Sequence, residues 1–277
     1  MLTTVHYNDE VAPAYFRMGL LWTAPLPVEP GQFIMLRVSE GVDPFLCRPF
    51  GVYRMIKPER AGGEARGFEI LYKVVGKGTR RMSEMRAGEA VDIFGPLGRG
   101  FPPFKGKGRL LMVAGGVGIV PFYLVAETFA ERGRLKLLFG GKSEDDLPGL
   151  DDFHALGLDI GVATEDGTAG EKGVVTTLLE RDIADNDTLY ACGPKGMLKA
   201  VAAVAGERGV PCYVSLDRRM ACGMGACLGC AVKGDGGSAS SAVAPSEGRE
   251  NRALSPYLMV CKDGPVFNAE DLLWEEL

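Results

Sequence analysis

The sequence predicts a multidomain protein of the α/β plus β class: an antiparallel β-barrel, a parallel-sheet α/β domain and a small C-terminal domain. Three observations lead to this prediction. Short strand-like runs broken by turn residues come first, apolar strands alternate with helical patterns from about residue 109, and the chain becomes glycine- and cysteine-rich after Asp217. A length of 277 residues suits two or three small domains, which we place at 1–102, 103–216 and 217–277.

In the barrel region, short runs with turn residues between them have the length and spacing of antiparallel strands. One helical piece, Arg80–Met85, follows the glycine-rich GKGT at 76–79, and Thr79 is its predicted N-cap. The predicted strands are Tyr15–Thr23, Gln32–Ser39, Phe50–Ile56, Phe68–Val75 and Ala90–Phe94.

The middle region alternates strands and helices, which predicts a parallel sheet with helices on both faces. This architecture is typical of nucleotide binding but does not by itself settle function. The predicted strands are Leu110–Ala114, Lys136–Phe139, Leu158–Thr164, Thr188–Ala191 and Cys212–Leu216. The predicted helices are Pro121–Glu131, Val174–Arg181 and Lys195–Glu207.

The composition argues against several classes of function. With 31 Lys and Arg against 36 Asp and Glu, the net charge of −5 has the wrong sign for a nucleic-acid-binding protein. Two histidines leave little room for a Ser-His-Asp hydrolase. The apolar run Leu110–Ala126 contains three glycines and a proline, so we expect no membrane span. No secretory signal is visible at the start, which favours the cytoplasm.

The strongest motif lies in the C-terminal region, where Cys222, Cys227 and Cys230 form C-x4-C-x2-C and Cys261 follows. This is the ligand spacing of a plant-type [2Fe-2S] cluster. The glycines between the cysteines let backbone N–H groups approach the sulfurs. We expect Cys261 to come from a strand at Leu258–Cys261. Structural zinc is the alternative, although zinc more often uses two separated cysteine pairs.

Two glycine-rich turns follow predicted parallel strands. MVAGGVGIVP at 112–121 contains Gly115, Gly116 and Gly118, and LYACGPKGML at 189–198 contains Cys192, Gly193, Pro194 and Met197. Both turns belong at the carboxyl edge of one sheet, where their N–H groups could bind a pyrophosphate. The first is not a G-x-G-x-x-G fingerprint, and a glycine-rich turn alone is weak evidence.

The barrel carries a third set, Arg48, Pro49, Phe50 and Gly51 on one strand and Leu71, Tyr72 and Lys73 on another. An arginine near Thr79 suits a diphosphate, and an aromatic ring can flank a flavin. Taken singly, Tyr72 is an ordinary strand residue and Arg48 an ordinary surface charge.

The turn after the third parallel strand, Thr164-Glu165-Asp166-Gly167, bears on the choice of nicotinamide cofactor. Acidic side chains suit a ribose hydroxyl, whereas a 2′-phosphate prefers an arginine, so the turn favours NAD over NADP. Glu165 and Asp166 could equally be solvated turn residues.

Seven blocks along the chain together resemble the electron-transfer subunits of B-type dihydroorotate dehydrogenases, within the ferredoxin reductase superfamily. The blocks are RPFGVY, LYKVVGKGT, GPLGRGF, MVAGGVGIVP, LYACGPKGML, RRMACGMGACLGC and VCKDGPVF. The resemblance covers nearly the whole chain, and its cysteine loop with VCKDGPVF is specific to this family and close relatives.

The resemblance implies three cofactors: FAD, NAD and a [2Fe-2S] cluster. FAD would be held by residues 48–51 and 71–73 with Gly78 and Thr79, and the cluster by the four cysteines. From the residues themselves we expect the two glycine-rich turns with Glu165 and Asp166 to bind NAD, and our hypothesis places the nicotinamide on FAD near Cys192. In such complexes an FMN-containing catalytic subunit oxidises dihydroorotate, which implies that partner here, in a heterotetramer of two plus two chains.

Two departures from the family pattern stand out. The arginine-proline block usually ends in serine, where this chain has Gly51, and the segment between Cys230 and Cys261 is longer than usual because of the Gly/Ser-rich run Gly234–Pro245. We expect that run to be a mobile loop. Two other functions stay open: a reductase subunit for ferredoxin, a sulfur compound or a hydrogenase, and a non-enzymatic zinc module.

Overall fold

The first part of the chain forms a seven-stranded antiparallel sheet in a computed structural model, which describes residues 1–22, 27–39, 41, 43–58, 65–129, 131–235 and 256–277. The strand order is β4-β3-β7-β1-β2-β6-β5. The bounds are β1 Leu2–Ala12, β2 Tyr15–Trp22, β3 Phe33–Arg37, β4 Arg48–Gly51, β5 Arg54–Ile56, β6 Gly67–Lys73 and β7 Ala90–Leu97.

Each of the five predicted barrel strands coincides with strands of the seven-stranded sheet, with two differences. The predicted strand Phe50–Ile56 is two short strands, β4 and β5, and β1 is additional. The prediction missed β1 because of its polar composition: Thr3 and Val5 are its two buried residues, so it carries almost no apolar alternation. Apolar side chains such as Met18, Leu20 and Phe68 fill the interior.

The barrel helix α1 spans Lys77–Ser83 and starts three residues before its predicted beginning. The prediction of Thr79 as N-cap is wrong, because Gly76 occupies that position in extended conformation. Thr79 lies at the third helical position, where its hydroxyl accepts hydrogen bonds from the N–H groups of Val75 (2.9 Å) and Gly76 (3.1 Å). Its side chain therefore fixes the turn that precedes the helix.

The second sheet also has seven strands, in the order β11-β10-β9-β8-β12-β13-β16. All of its pairs are parallel except β13 with β16. The strands are β8 Leu110–Gly115, β9 Leu135–Gly141, β10 Asp159–Thr164, β11 Glu171–Lys172, β12 Thr188–Cys192, β13 Cys212–Ser215 and β16 Val266–Asn268. The helices that accompany them are α2 Val120–Thr128, α3 Leu150–Ala155, α4 Val175–Asp182 and α5 Lys195–Arg208.

The helices cover both faces of this sheet, as predicted. Along β8, Leu110 and Met112 pack with α2 and α3, whereas Leu111 and Val113 point the other way and pack with α4 and α5. The short helix α3 had no recognisable pattern in the sequence. The apolar run that begins at Leu110 is thus a strand followed by a helix, and no helix in the described ranges has the length and hydropathy needed to cross a bilayer.

The C-terminal region is tied to both sheets. Strand β14, Ala231–Lys233, pairs antiparallel with β15, Tyr257–Met259, and α6 covers Val260–Asp263. Cys261 therefore lies in a helical turn, and the prediction that it ends a strand is wrong. Strand β16 extends the parallel sheet by pairing with β13. Most of the predicted mobile run Gly234–Pro245 lies outside the described residues.

Candidate cofactor sites

A large cavity of ≈ 1360 Å³ opens between the barrel and the second sheet. Most residues predicted to bind FAD or NAD line it, and Gly78 and Asp166 lie outside its wall. The lining residues from the prediction are Arg48, Pro49, Phe50, Gly51, Leu71, Tyr72, Lys73, Thr79, Gly115, Gly116, Gly118, Glu165, Cys192, Gly193, Pro194 and Met197. Folding therefore brings residues from five separate stretches of the chain to one cavity.

On the barrel side, Arg48 lies across the start of α1. A side chain at position 78 would overlap the Arg48 guanidinium, so Gly78 supports the cavity wall without lining it. Tyr72 is buried, and its hydroxyl donates a hydrogen bond to Asn8 (3.0 Å) while its ring meets Phe50 edge-on. This wall therefore combines the Arg48 guanidinium with the aromatic rings of Tyr72 and Phe50. Such a pair fits the diphosphate and the ring system of a flavin nucleotide.

The missing serine of the arginine-proline block has a steric explanation. A Cβ atom at Gly51 would stand 2.9 Å from Cγ1 of Val120, a buried residue in the first turn of α2. Real Cβ contacts are longer, so a serine hydroxyl has no room here unless Val120 moves. The valine methyl thus occupies the space of the absent side chain.

A polar contact that sequence reasoning missed joins the barrel to the second sheet beside the cavity. The Lys73 ammonium and the Tyr15 hydroxyl each donate to Oδ1 of Asp146 at 2.6 Å. Burial alone would raise the pKa of Asp146, but these two hydrogen bonds outweigh it and hold the pKa below its ordinary value. Asp146 is 73 residues from Lys73 in sequence, and no local signal marks such a pair.

A second polar cluster fixes the same interface. Asp152 of α3 accepts hydrogen bonds from the Tyr53 hydroxyl (2.7 Å), from Arg54 (3.3 Å) and from Arg17. Arg54 also pairs with the buried carboxylate of Glu69 at 2.6 Å. Because these groups come from β2, β5, β6 and α3, they hold the two walls of the cavity at a fixed distance.

On the other wall, the two glycine-rich turns meet at the carboxyl edge of the sheet, as predicted. Gly118 lies against the backbone carbonyl of Cys192, and any side chain there would overlap it. The turns leave backbone N–H groups beside the cavity, where pyrophosphates bind in such sheets.

The two acidic side chains of the turn at 164–167 point in different directions. Glu165 lines the cavity. Asp166 turns away and accepts hydrogen bonds from the Thr168 N–H (2.9 Å) and hydroxyl (2.7 Å), which lower its pKa. Asp166 therefore stabilises its own turn, and Glu165 is the member of the pair that faces the cavity.

Cys192 ends β12 in the cavity wall. Burial raises the pKa of its thiol to about 12, and Ser215, its register partner on β13, donates a side-chain hydrogen bond that opposes the shift. The group stays a neutral thiol at pH 7, so it suits packing against a ring better than nucleophilic attack.

The four motif cysteines come together in two pairs. The N–H groups of Met224 (3.5 Å) and Cys227 (3.4 Å) donate to the sulfur of Cys222, and together they lower its pKa to about 6. In the second pair, the Cys261 N–H donates to Cys230 (3.4 Å). Cys230 and Cys261 are buried, whereas Cys227 is exposed.

This arrangement fits a two-iron cluster. Each iron of a [2Fe-2S] centre takes two protein ligands, and backbone N–H donors stabilise the sulfurs that bind them. The Gly225 N–H donates to the sulfur of Cys261 at 3.0 Å, a contact of the kind that stabilises cluster sulfurs. Within the described residues, no three His, Cys, Asp or Glu side chains are grouped as ligands of a single metal ion.

The cluster loop adjoins the cavity. Gly229 and Ala231, which flank Cys230, belong to the cavity wall, as do Arg218 and Arg219 of the preceding segment. Gly223 packs on Met35 of the barrel. A cluster on these cysteines would thus lie next to any ring system held in the cavity.

Family models match two parts of the chain. A model described as the iron-sulfur cluster binding domain of dihydroorotate dehydrogenase B matches residues 217–273. A model described as an oxidoreductase NAD-binding domain matches residues 112–203. The matches coincide with the cysteine loop and with the glycine-rich turns.

Solved structures show the same fold. An NADH-dependent reduced ferredoxin-NADP oxidoreductase, studied for flavin-based electron bifurcation, is 30% identical with a TM-score of 0.80, and the match covers 99% of this chain and 91% of that one. A Neisseria gonorrhoeae ferredoxin NADP+ reductase with bound FAD and NADP has a TM-score of 0.64 at 18% identity, over 80% and 94% of the two chains. The barrel followed by a parallel sheet is thus the ferredoxin-reductase fold.

Relatives of nearly equal length carry one name, dihydroorotate dehydrogenase B (NAD(+)), electron transfer subunit. The relative from Caldanaerobacter subterraneus subsp. tengcongensis is 39% identical over 99% of this chain and 98% of its own. The relative from Fusobacterium nucleatum subsp. nucleatum is 35% identical over 97% and 96%. The resemblance seen in the sequence is confirmed, and the chain belongs to the family of dihydroorotate dehydrogenase B electron transfer subunits.

Proposed function

We propose that this chain passes electrons from a dihydroorotate-oxidising partner through a [2Fe-2S] cluster and FAD to NAD+, in pyrimidine biosynthesis. One observation carries the proposal: the flavin wall, the two dinucleotide turns and the residues flanking Cys230 all line a single cavity. A bound flavin supplies the exchange between two-electron nicotinamide chemistry and the one-electron chemistry of a cluster.

The chain's own residues hold and orient these groups. Arg48 and the backbone before α1 would bind the flavin diphosphate, and Tyr72 with Phe50 forms the apolar floor. Gly115 to Gly118 and Gly193 leave room for the nicotinamide dinucleotide, and Glu165 would accept a hydrogen bond from its ribose. The neutral Cys192 thiol would face the nicotinamide.

Four thiolates would hold the cluster, with Cys222 and Cys227 on the outer iron and Cys230 and Cys261 on the inner one. The N–H donors of Met224 and Gly225 stabilise negative charge on the sulfurs and so favour the reduced state. The inner pair lies towards the cavity, because Gly229 and Ala231 form its wall. Electrons would thus pass from the outer iron at the surface to the inner iron and then to the flavin in the cavity.

The partner would dock over the outer iron. Cys227 is exposed, and Met224 (56% exposed) and Leu228 (63% exposed) present apolar surface beside it. We place the FMN-containing catalytic subunit on this surface, in a complex of two plus two chains in the cytoplasm. Residues 1–102, 103–216 and 217–277 would carry FAD, NAD and cluster in turn.

Anaerobic titration with NADH tests the proposal. The purified chain should contain flavin, iron and sulfide, and NADH should bleach the flavin absorbance and produce the EPR signal of a reduced [2Fe-2S] cluster. Bleaching without that signal would contradict the relay. A colourless, iron-free protein under oxygen exclusion would contradict both cofactors and favour the zinc module.

A second candidate function is a related ferredoxin reductase subunit, favoured by the 30% identity to the NADH-dependent ferredoxin-NADP oxidoreductase over 99% of this chain. Co-purification from native extract discriminates the two. Recovery of an FMN-containing subunit that oxidises dihydroorotate supports the first function, whereas a partner that reduces ferredoxin supports the second.

A further inference from the structure

Asp217 faces the cavity beside Cys192. It follows strand β13 by two residues, and the last residue of that strand, Ser215, pairs in register with Cys192 on β12. All three residues line the cavity. Because both glycine-rich turns meet at this edge, Asp217 lies next to the place proposed for the nicotinamide.

The carboxyl group of Asp217 has no partner among the described residues: it makes no hydrogen bond or ion pair there. More than a third of the Asp217 surface is exposed in the open cavity, and partial loss of solvent around its carboxyl raises its pKa. The other charged and titratable groups of the cavity wall near it in the fold are the Cys192 thiol, Lys195 at the start of α5, and Arg218 and Arg219 on its own segment, and of these the Cys192 thiol interacts with it. The charge of Asp217 in turn helps to raise the pKa of Cys192.

The other two acidic side chains of the cavity wall differ from Asp217 in their partners or their position. Asp146 is engaged by Lys73 and Tyr15. Glu165 follows β10, which is separated from β13 by β9, β8 and β12. Four strand spacings of ~4.8 Å put it roughly 19 Å from Asp217 along the sheet. Asp217 is therefore the unpaired acid at the nicotinamide end.

The proposed function needs an acid at that end. Reduction of NAD+ to NADH consumes two electrons and one proton, and an iron-sulfur cluster delivers electrons without protons. One proton per NADH must therefore enter the cavity from solvent through the protein. We propose, on the basis of the proposed function, that Asp217 passes this proton from solvent to the flavin nitrogen that donates the hydride to NAD+, and takes it back when electrons flow from NADH to the cluster.

The proposal separates two steps in the holoenzyme. Hydride transfer from NADH moves no proton to or from solvent, so flavin bleaching by NADH in a stopped-flow instrument should change less than about twofold in Asp217→Asn. Electron delivery from the dithionite-reduced cluster to NAD+ should slow by about 10²-fold, the size of a lost general acid. Asp217→Glu should restore most of it, and the exposed-loop variant Asp185→Asn should match the unmodified protein.

A second measurement needs no turnover. The infrared carbonyl band that disappears in Asp217→Asn should titrate in the oxidised holoenzyme with a midpoint above the ordinary aspartate value of about 3.9. A midpoint at or below that value, or unchanged NADH formation in Asp217→Asn, would overturn the proposal. Failure of the unmodified protein to reduce its cluster with NADH would instead refute the proposed function.

Discussion

The contact between Gly51 and Val120 predicts an energetic coupling that a double-mutant cycle can measure. Gly51→Ser places a Cβ atom 2.9 Å from Cγ1 of Val120. Carbon atoms in good contact are about 3.5–4.0 Å apart, so one partner must move by roughly 0.6–1 Å. Overpacking of this size costs about 1–3 kcal/mol.

The same cycle needs Val120→Ala, which removes the methyl group in the way. Val120 is 6% exposed, and loss of its two methyl groups costs about 1.5 kcal/mol or more at about 0.8 kcal/mol per group. In the double variant the serine has room, so we expect it to be more stable than the sum of the single effects by about 1–2 kcal/mol, within the range for residues in contact.

Denaturant unfolding of the flavin-loaded protein gives the stability of the four forms, and flavin fluorescence gives the dissociation constant of FAD in each. We expect Gly51→Ser alone to lower the stability and to weaken FAD binding, and the double variant to recover both properties. Strict additivity of the two substitutions would refute the steric explanation for the missing serine.

Further predictions concern the interface, the cluster and the choice of nucleotide. Asp152→Asn should destabilise the protein by about 1.5–3 kcal/mol in denaturant unfolding, since it removes one of the two carboxylates that pair with the partly buried Arg17 and Arg54, whereas the exposed Asp151→Asn on the same helix should change little. Cys227→Ser should lose iron by metal analysis while FAD stays bound, and simultaneous loss of flavin would contradict the separation of the two sites. Glu165→Arg should shift kcat/KM from NADH towards NADPH by at least about tenfold, because a charge-assisted hydrogen bond contributes about 1.5–3 kcal/mol. Asp146→Asn should lower the free energy of unfolding at pH 7. Because the pKa of Asp146 is lowered in the folded protein, this loss of stability should persist above the ordinary aspartate pKa of about 3.9 and shrink as the pH falls below it. A loss that does not change with pH would contradict the contact with Lys73.

Local patterns were sufficient for much of the fold. Strands β8 and β12 and the glycine-rich turns after them could be predicted because each is specified by a short stretch: an apolar run followed by glycines. The spacing of the cysteine motif likewise predicts a [2Fe-2S] site, with structural zinc as the alternative. These features concern residues that are close in sequence, and the structure places them as expected at one edge of the sheet.

Long-range pairings could not be predicted in this way. Arg17 and Asp152 are 135 residues apart, and neither is distinguished from a surface charge until the fold brings them together. The polar strand β1 was missed for a related reason, since it is held by pairing with β2 and β7 and not by its own apolar pattern. Asp217 also has no distinguishing pattern in the sequence, and only the fold places it in the cavity wall near Cys192.

The long segment between Cys230 and Cys261 need not disturb the cluster, and the described ends of that segment show why. Strands β14 and β15 pair directly, with Ala231 opposite Met259, and the Gly234 N–H donates to the Pro256 carbonyl at 2.7 Å. The chain thus leaves and returns at adjacent points. Each doubling of a connecting loop costs only about 0.6 kcal/mol in closure entropy. Length can vary there while the two buried cysteines keep their relative position.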